Sequence, residues 1–168
     1  MQITIIGSNT SACSSQLYDT AFQLGVKLST HNYYVFTGGM GGVMEAVSKG
    51  IYTSSNRNCR TIGILPNLDK SEGNSFLDIV IPSGIGYARN SILIASADVV
   101  VAFGGGAGTL SEIAFAWQYN KTVFCYEGEE GWSKQLANKE LDNRKNGLLI
   151  GFKNIDDLMT KLISLNIK

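Results

Sequence analysis

Short β-rich apolar runs alternate with helical periodicity along the chain. Ile3–Ile6 is the first run and ends at Gly7. Leu17, Ala21, Leu24 and Leu28 then recur at i, i+4, i+7 and i+11, which predicts an amphipathic helix ending near Thr30. Tyr33–Phe36 is strand-like, and Val43, Val47 and Ile51 mark a second helix. Thr61–Leu65 is a third strand stopped by Pro66, followed by a polar surface loop at 67–74. Asp78–Ile81 is a fourth strand closed by Pro82, and a short helix is expected from about Tyr87 to Ala95.

Val99–Phe103 is continuously apolar, as a strand covered by helices on both faces must be, and is expected at the sheet centre. Leu110, Ile113, Ala114 and Trp117 give the next helix its apolar face, and Thr122–Tyr126 returns as a strand. From Glu127 to Asn146 the chain is polar and shows no usable period. Leu148–Ile150 reads as an edge strand. A closing helix carries Ile155, Leu158, Met159 and Leu162 behind Asn154, a cap with Asp156 and Asp157 in the first turn. This alternation predicts stacked βαβ units: a three-layer, doubly wound α/β fold with a mainly parallel sheet of six or seven strands. No repeat or linker interrupts it, so residues 1–168 read as one domain.

Composition narrows the function classes. Lysines plus arginines equal aspartates plus glutamates at 14 each, so no global field favours nucleic acid or an anionic membrane. The chain runs from Met1 directly into a strand without a signal-peptide pattern, and no apolar run reaches the ~18 residues of a membrane span. A cytoplasmic protein is expected. Cys13, Cys59 and Cys125 lack ligand spacing, which argues against a disulfide framework or a metal site and for buried free thiols.

Two turns carry the candidate chemistry. Val35-Phe-Thr-Gly-Gly-Met-Gly-Gly42 and Val101-Ala-Phe-Gly-Gly-Gly-Ala-Gly-Thr109 share one plan: apolar strand, glycine-dense turn, amphipathic helix. Glycine backbone lets N–H groups converge and a ligand approach closely, and the helix start adds unpaired N–H groups and positive potential. Both turns should lie at the carboxyl ends of parallel strands, where ligands of such sheets bind. A phosphorylated, nucleotide-like ligand is expected on Ser8, Gly38, Gly39, Gly41, Gly42, Asn90, Gly105, Gly106, Gly108 and Thr109. The GxGxxG spacing fails, with Met44 or Thr109 at its third position, and GxxxxGK[ST] is absent. These absences speak against a dinucleotide dehydrogenase and a P-loop NTPase.

Gly105-Gly-Ala-Gly-Thr-Leu-Ser-Glu112 resembles the PGGxGTxxE motif of the LOG-type proteins, once labelled lysine decarboxylases, with Gly104 where the motif has proline. Gly38-Gly-Met-Gly-Gly-Val-Met-Glu-Ala-Val-Ser48 and Gly86-Tyr-Ala-Arg-Asn90 are closer to the molybdenum cofactor carriers of the same SLOG superfamily. The resemblance spans roughly residues 1–126 and implies a Rossmann-like fold and a homodimer or larger homo-oligomer, with the helices around Arg89 and Trp117 near the interface. Characterised LOG enzymes hydrolyse the N-glycosidic bond of nucleoside 5′-monophosphates, which implies Arg89 and Glu112 as catalytic residues. Their usual lysine is Asn90 here, and a methionine is Leu93. The carrier likeness implies instead a non-catalytic pterin or nucleotide carrier or sensor. No cofactor is required in either case, though the ligand itself could be a nucleotide or a molybdopterin-type molecule.

Each residue also has an ordinary explanation. Thr109-x-x-Glu112 is a capping-box pattern, Ser8 and Asn9 could cap the first helix, and Glu45 suits the dipole of the second. His31 is expected in a solvated turn, and Phe115 and Trp117 in the core or a subunit contact. Pyridoxal-dependent decarboxylation is rejected, because Lys27, Lys49, Lys121 and Lys134 have no recognisable cofactor context.

Overall fold

A computed structural model describes residues 1–144 and 147–165. Seven parallel strands form one sheet in the order β4-β3-β2-β1-β5-β6-β7: β1 Gln2–Gly7, β2 Tyr34–Thr37, β3 Arg60–Leu65, β4 Ile79–Pro82, β5 Val99–Phe103, β6 Thr122–Tyr126 and β7 Leu148–Phe152. The expected doubly wound α/β architecture is present, and every pairing is parallel. Among the described residues six α-helices accompany the strands: α1 Ser15–Leu28, α2 Val43–Tyr52, α3 Arg89–Ala95, α4 Ala107–Gln118, α5 Trp132–Leu136 and α6 Ile155–Ser164.

The pleat divides the core in two, because successive strand residues face opposite sides. Ile3, Ile5, Val99, Val101 and Phe103 pack with α1, α2 and α6, while Ile6, Val100 and Ala102 pack with α3 and α4. All five β5 residues are buried, as their apolar run predicts. The middle of the sheet, however, belongs to β1, with β5 beside it. Periodicity reports that a strand is covered on both faces but not who its neighbours are.

The order matters for function. The chain leaves β1 through α1 toward β2, and leaves β5 through α4 on the other face toward β6. The carboxyl ends of β1 and β5 therefore flank the point where the winding reverses, the crevice in which open α/β sheets bind ligands.

Local chemistry sets the helix ends. Ser14 Oγ accepts from Leu17 N at 3.1 Å and caps α1, so neither Ser8 nor Asn9 does. Asn154 Oδ1 accepts from Asp157 N at 2.9 Å, the cap expected for α6. Part of the unread 127–146 stretch forms α5, while residues 145–146 lie outside the described ones. Cys59 and Cys125 are buried free thiols pushed up to about 12 by burial, and Cys13 is a half-buried one. No helix among the described residues is long and apolar enough to cross a membrane.

Candidate functional site

A cleft of about 480 Å³ opens at the β1/β5 crossing, within the range of small-molecule sites. Ser8, Gly38, Arg89, Asn90, Gly106, Gly108, Thr109 and Glu112 line it, joined by Asn9, Ser11, Met40, Met44 and Tyr87. Four segments distant in sequence thus converge: the end of β1, the turn after β2, the start of α3 and, facing it, the start of α4. Gly39, Gly41, Gly42 and Gly105 are not part of the lining and shape it from behind.

The first glycine turn is built around the protein's own atoms. Gly38 leaves room for a guanidinium, since a Cβ there would stand 2.5 Å from Arg89 Nη2. Gly42 has φ +69° and would drive a Cβ into the Ser8 carbonyl, while Val43 N donates to that same carbonyl at 3.0 Å. Asn74 Nδ2 donates to the carbonyls of Gly39 at 3.2 Å and Met40 at 3.0 Å, pinning the turn from the 67–74 loop.

The second turn is braced from outside and open toward the cleft. Gly105 N donates to Ser8 Oγ at 2.9 Å, so this N–H is engaged within the protein. Ser133 N and Trp132 N at the start of α5 donate to Gly104 O at 2.9 Å and Gly105 O at 3.1 Å. Ser133 Oγ in turn lies 2.8 Å from the carbonyls of both Ala102 and Tyr126. Sequence reasoning missed Ser133 and Asn74, because one polar residue in a polar stretch makes no period.

Helix α4 begins at Ala107 with Gly106 as its N-cap, and no side chain caps it. Thr109 is therefore already inside the helix, and the capping-box expectation fails. Leu110 N is the first to bond back, to Gly106 O at 3.0 Å, so the N–H groups of the first turn have no intrahelical partner. Glu112 faces Arg89 instead, with Nη1 to Oε1 at 3.5 Å.

Both members of this pair are buried, Arg89 at 8% and Glu112 at 7% exposure. Burial pushes the Glu112 carboxyl up to about 7, with Arg89 pulling it down. Burial likewise lowers the pKa of Arg89, with Glu112 opposing. The contact is long, and Arg89 Nε is buried without any hydrogen-bond partner among the described residues. An ion pair this loose leaves a desolvated cation with donor capacity unused.

The remaining candidates lie elsewhere. Glu45, in the first turn of α2, accepts from Tyr18 Oη at 3.0 Å, and burial together with this bond pushes the phenol up to about 12. His31 stacks on Tyr33 at 5.0 Å, away from the cleft. Trp117 is a core residue at 3% exposure, one of the two places expected for it, and its Nε1 donates to Asp142 Oδ1 at 3.1 Å. No lysine lines the cleft among the described residues.

The chain matches the model of the SLOG cluster4 family over residues 1–159. It belongs to that family. The match extends past the motifs at 38–48 and 105–112 to include α5 and β7, the segments sequence motifs did not reach. Three solved structures are similar to this SLOG cluster4 chain over nearly its whole length. TM1055 superposes with a TM-score of 0.89 at 29% identity, covering 98% of this chain and 99% of that one. A molybdenum cofactor binding protein from Rippkaea orientalis gives 0.85 at 30% identity, covering 99% and 97%. The molybdenum cofactor carrier protein of Chlamydomonas reinhardtii gives 0.83 at 28% identity, covering 99% of each.

Proposed function

We propose that this SLOG cluster4 protein holds a phosphorylated, pterin-type small molecule of the molybdenum cofactor kind in the β1/β5 cleft and does not turn it over. The observation that carries this reading is Arg89: a guanidinium at 8% exposure with one 3.5 Å partner among the described residues, beside a 12-residue helix whose start carries no side-chain cap. A phosphate there would accept from the first-turn N–H groups of α4 and from Arg89, which offers a bidentate fork. Ordinary backbone at Gly106, with φ −98°, and empty space around both Gly106 and Gly108 leave room for that approach. The Ser8 hydroxyl and Gly38 complete this wall, and the exposed Tyr87 ring stands at the rim. The two molybdenum cofactor proteins, similar over the full chain, support the choice of ligand class.

Glu112 favours a second reading, phosphoribohydrolase activity. A buried carboxyl titrating near 7 could steady the cationic sugar as the base departs and position the attacking water. Purified protein incubated with AMP, modified AMP and GMP separates the two. Release of free base and ribose 5-phosphate, lost in Glu112→Gln, would overturn the carrier function. The expected outcome is no release, with isolated molybdenum cofactor raising the melting temperature and Arg89→Ala weakening its binding about 30- to 100-fold.

A further inference from the structure

Asn90 follows Arg89 at the start of α3, lines the same cleft, and is 3% exposed. Its Nδ2 donates to Ser111 Oγ at 2.9 Å, and Ser111 Oγ donates to Gly108 O at 2.7 Å. The hydroxyl has one proton, and with that proton on the Gly108 carbonyl it can only accept from Asn90. A flipped amide would set two oxygens against each other at the same 2.9 Å spacing, so Ser111 fixes which edge of Asn90 is which. The remaining polar atom, Asn90 Oδ1, is buried and has no hydrogen-bond partner among the described residues.

An orphaned acceptor is rare in a folded interior and asks for a donor. It cannot serve a phosphate, whose oxygens are acceptors only; of the two amide N–H groups, one is engaged by Ser111. The geometry points to Asn90 Oδ1 as the seat for a ring N–H or amino group on the heterocycle of the bound ligand, with Ser111 as its positioning residue. The site then reads two parts of one molecule: Arg89 and the α4 start take the anion, and Asn90 takes a heterocyclic donor. This rests on the phosphate-binding function proposed above. It favours a 2-amino-4-oxopyrimidine edge, shared by pterins and guanine, over a heterocycle without N–H.

GMP and purine riboside 5′-monophosphate make the test, since they share phosphate, ribose and ring skeleton while only GMP carries heterocyclic donors. Titration calorimetry on the wild type should show GMP bound about tenfold more tightly. Asn90→Leu should erase that preference while binding the purine analogue within about twofold of wild type, as expected for loss of one hydrogen bond. Ser111→Ala, at a half-buried position, should reduce the preference by freeing the amide to rotate. Equal binding of both nucleotides to the wild type would overturn the Asn90 assignment and leave the phosphate site standing. Parallel weakening of both by either variant would also overturn it, placing Asn90 with the phosphate or the scaffold. Failure of both nucleotides to bind the wild type would remove the phosphate site and this assignment with it.

Discussion

At Gly38, Gly39 and Gly42 the space a side chain would need is already filled by the protein, whereas at Gly106 and Gly108 no heavy atom beyond the adjoining chain stands within 4 Å of an added Cβ. Both turns join a parallel strand to a helix, and both read as the same glycine-dense pattern in sequence. The first is a joint: Arg89 lies on Gly38, Leu65 on Gly39, and the end of β1 on Gly42. The second keeps its outer glycines, Gly104 and Gly105, at positive φ against Ser8 and α5, and presents Gly106 and Gly108 to an open cleft. Glycine density alone therefore does not mark a binding loop. What distinguishes one is unclaimed space beside unclaimed donors.

The largest expected effect tests the joint. Gly42→Ala must accommodate a Cβ at φ +69° and ψ −133°, in contact with the carbonyl of Ser8 and the backbone of Asn9. Strained backbone and a backbone clash together should cost about 3 kcal/mol or more. Urea denaturation would read this as a lower midpoint with an unchanged m-value. A loss below about 1 kcal/mol would mean that the two segments are not locked as described.

Arg89 and Glu112 couple the turns, and pH probes their link. The Glu112 carboxyl, held up to about 7 by burial, lies above its ordinary value, so the folded protein binds its proton more tightly than the unfolded chain. The resulting stability is fully present below the ordinary carboxylate pKa and is lost as pH rises through about 7. Glu112→Gln stays neutral throughout. Its stability relative to wild type should therefore improve by about 2 kcal/mol between pH 5 and pH 8. A flat difference across that window would show that Glu112 is already ionised at pH 5, with Arg89 gripping it more firmly than the 3.5 Å contact implies.

Much of this was legible in the amino-acid pattern, for physical reasons that also explain what was not. The strands and every helix except α5 follow from short apolar runs and the 3.6 period, because burial on a face is written residue by residue. Strand order is not, since Val99–Phe103 reports two covered faces whether or not it is the middle strand. Arg89 and Glu112 were reachable only through resemblance to a family, as their 23-residue separation has no local meaning. Thr109-x-x-Glu112 spelled a cap that α4 does not use, because the helix takes Gly106 as its N-cap and begins at Ala107, three residues before a helix capped by Thr109 would. The bracing by Ser133 and Asn74 depends on tertiary neighbours and leaves no trace in local sequence.

The smallest effect on stability is the sharpest test of the contrast. Gly106 has φ −98° and an open surround, and Gly108 sits in the first turn of α4 with equal room. Alanine at either position should leave unfolding free energy within about 0.5 kcal/mol of wild type, and at Gly108 even raise it, since alanine outranks glycine in a helix. A phosphate drawn onto the α4 start would meet the new methyl group, and its affinity should fall about tenfold, measured with the same nucleotide titrations. Substantial destabilisation would place these glycines with those of the first turn, as joints. Unchanged stability with unchanged affinity would leave the open space beside α4 without a ligand to explain it.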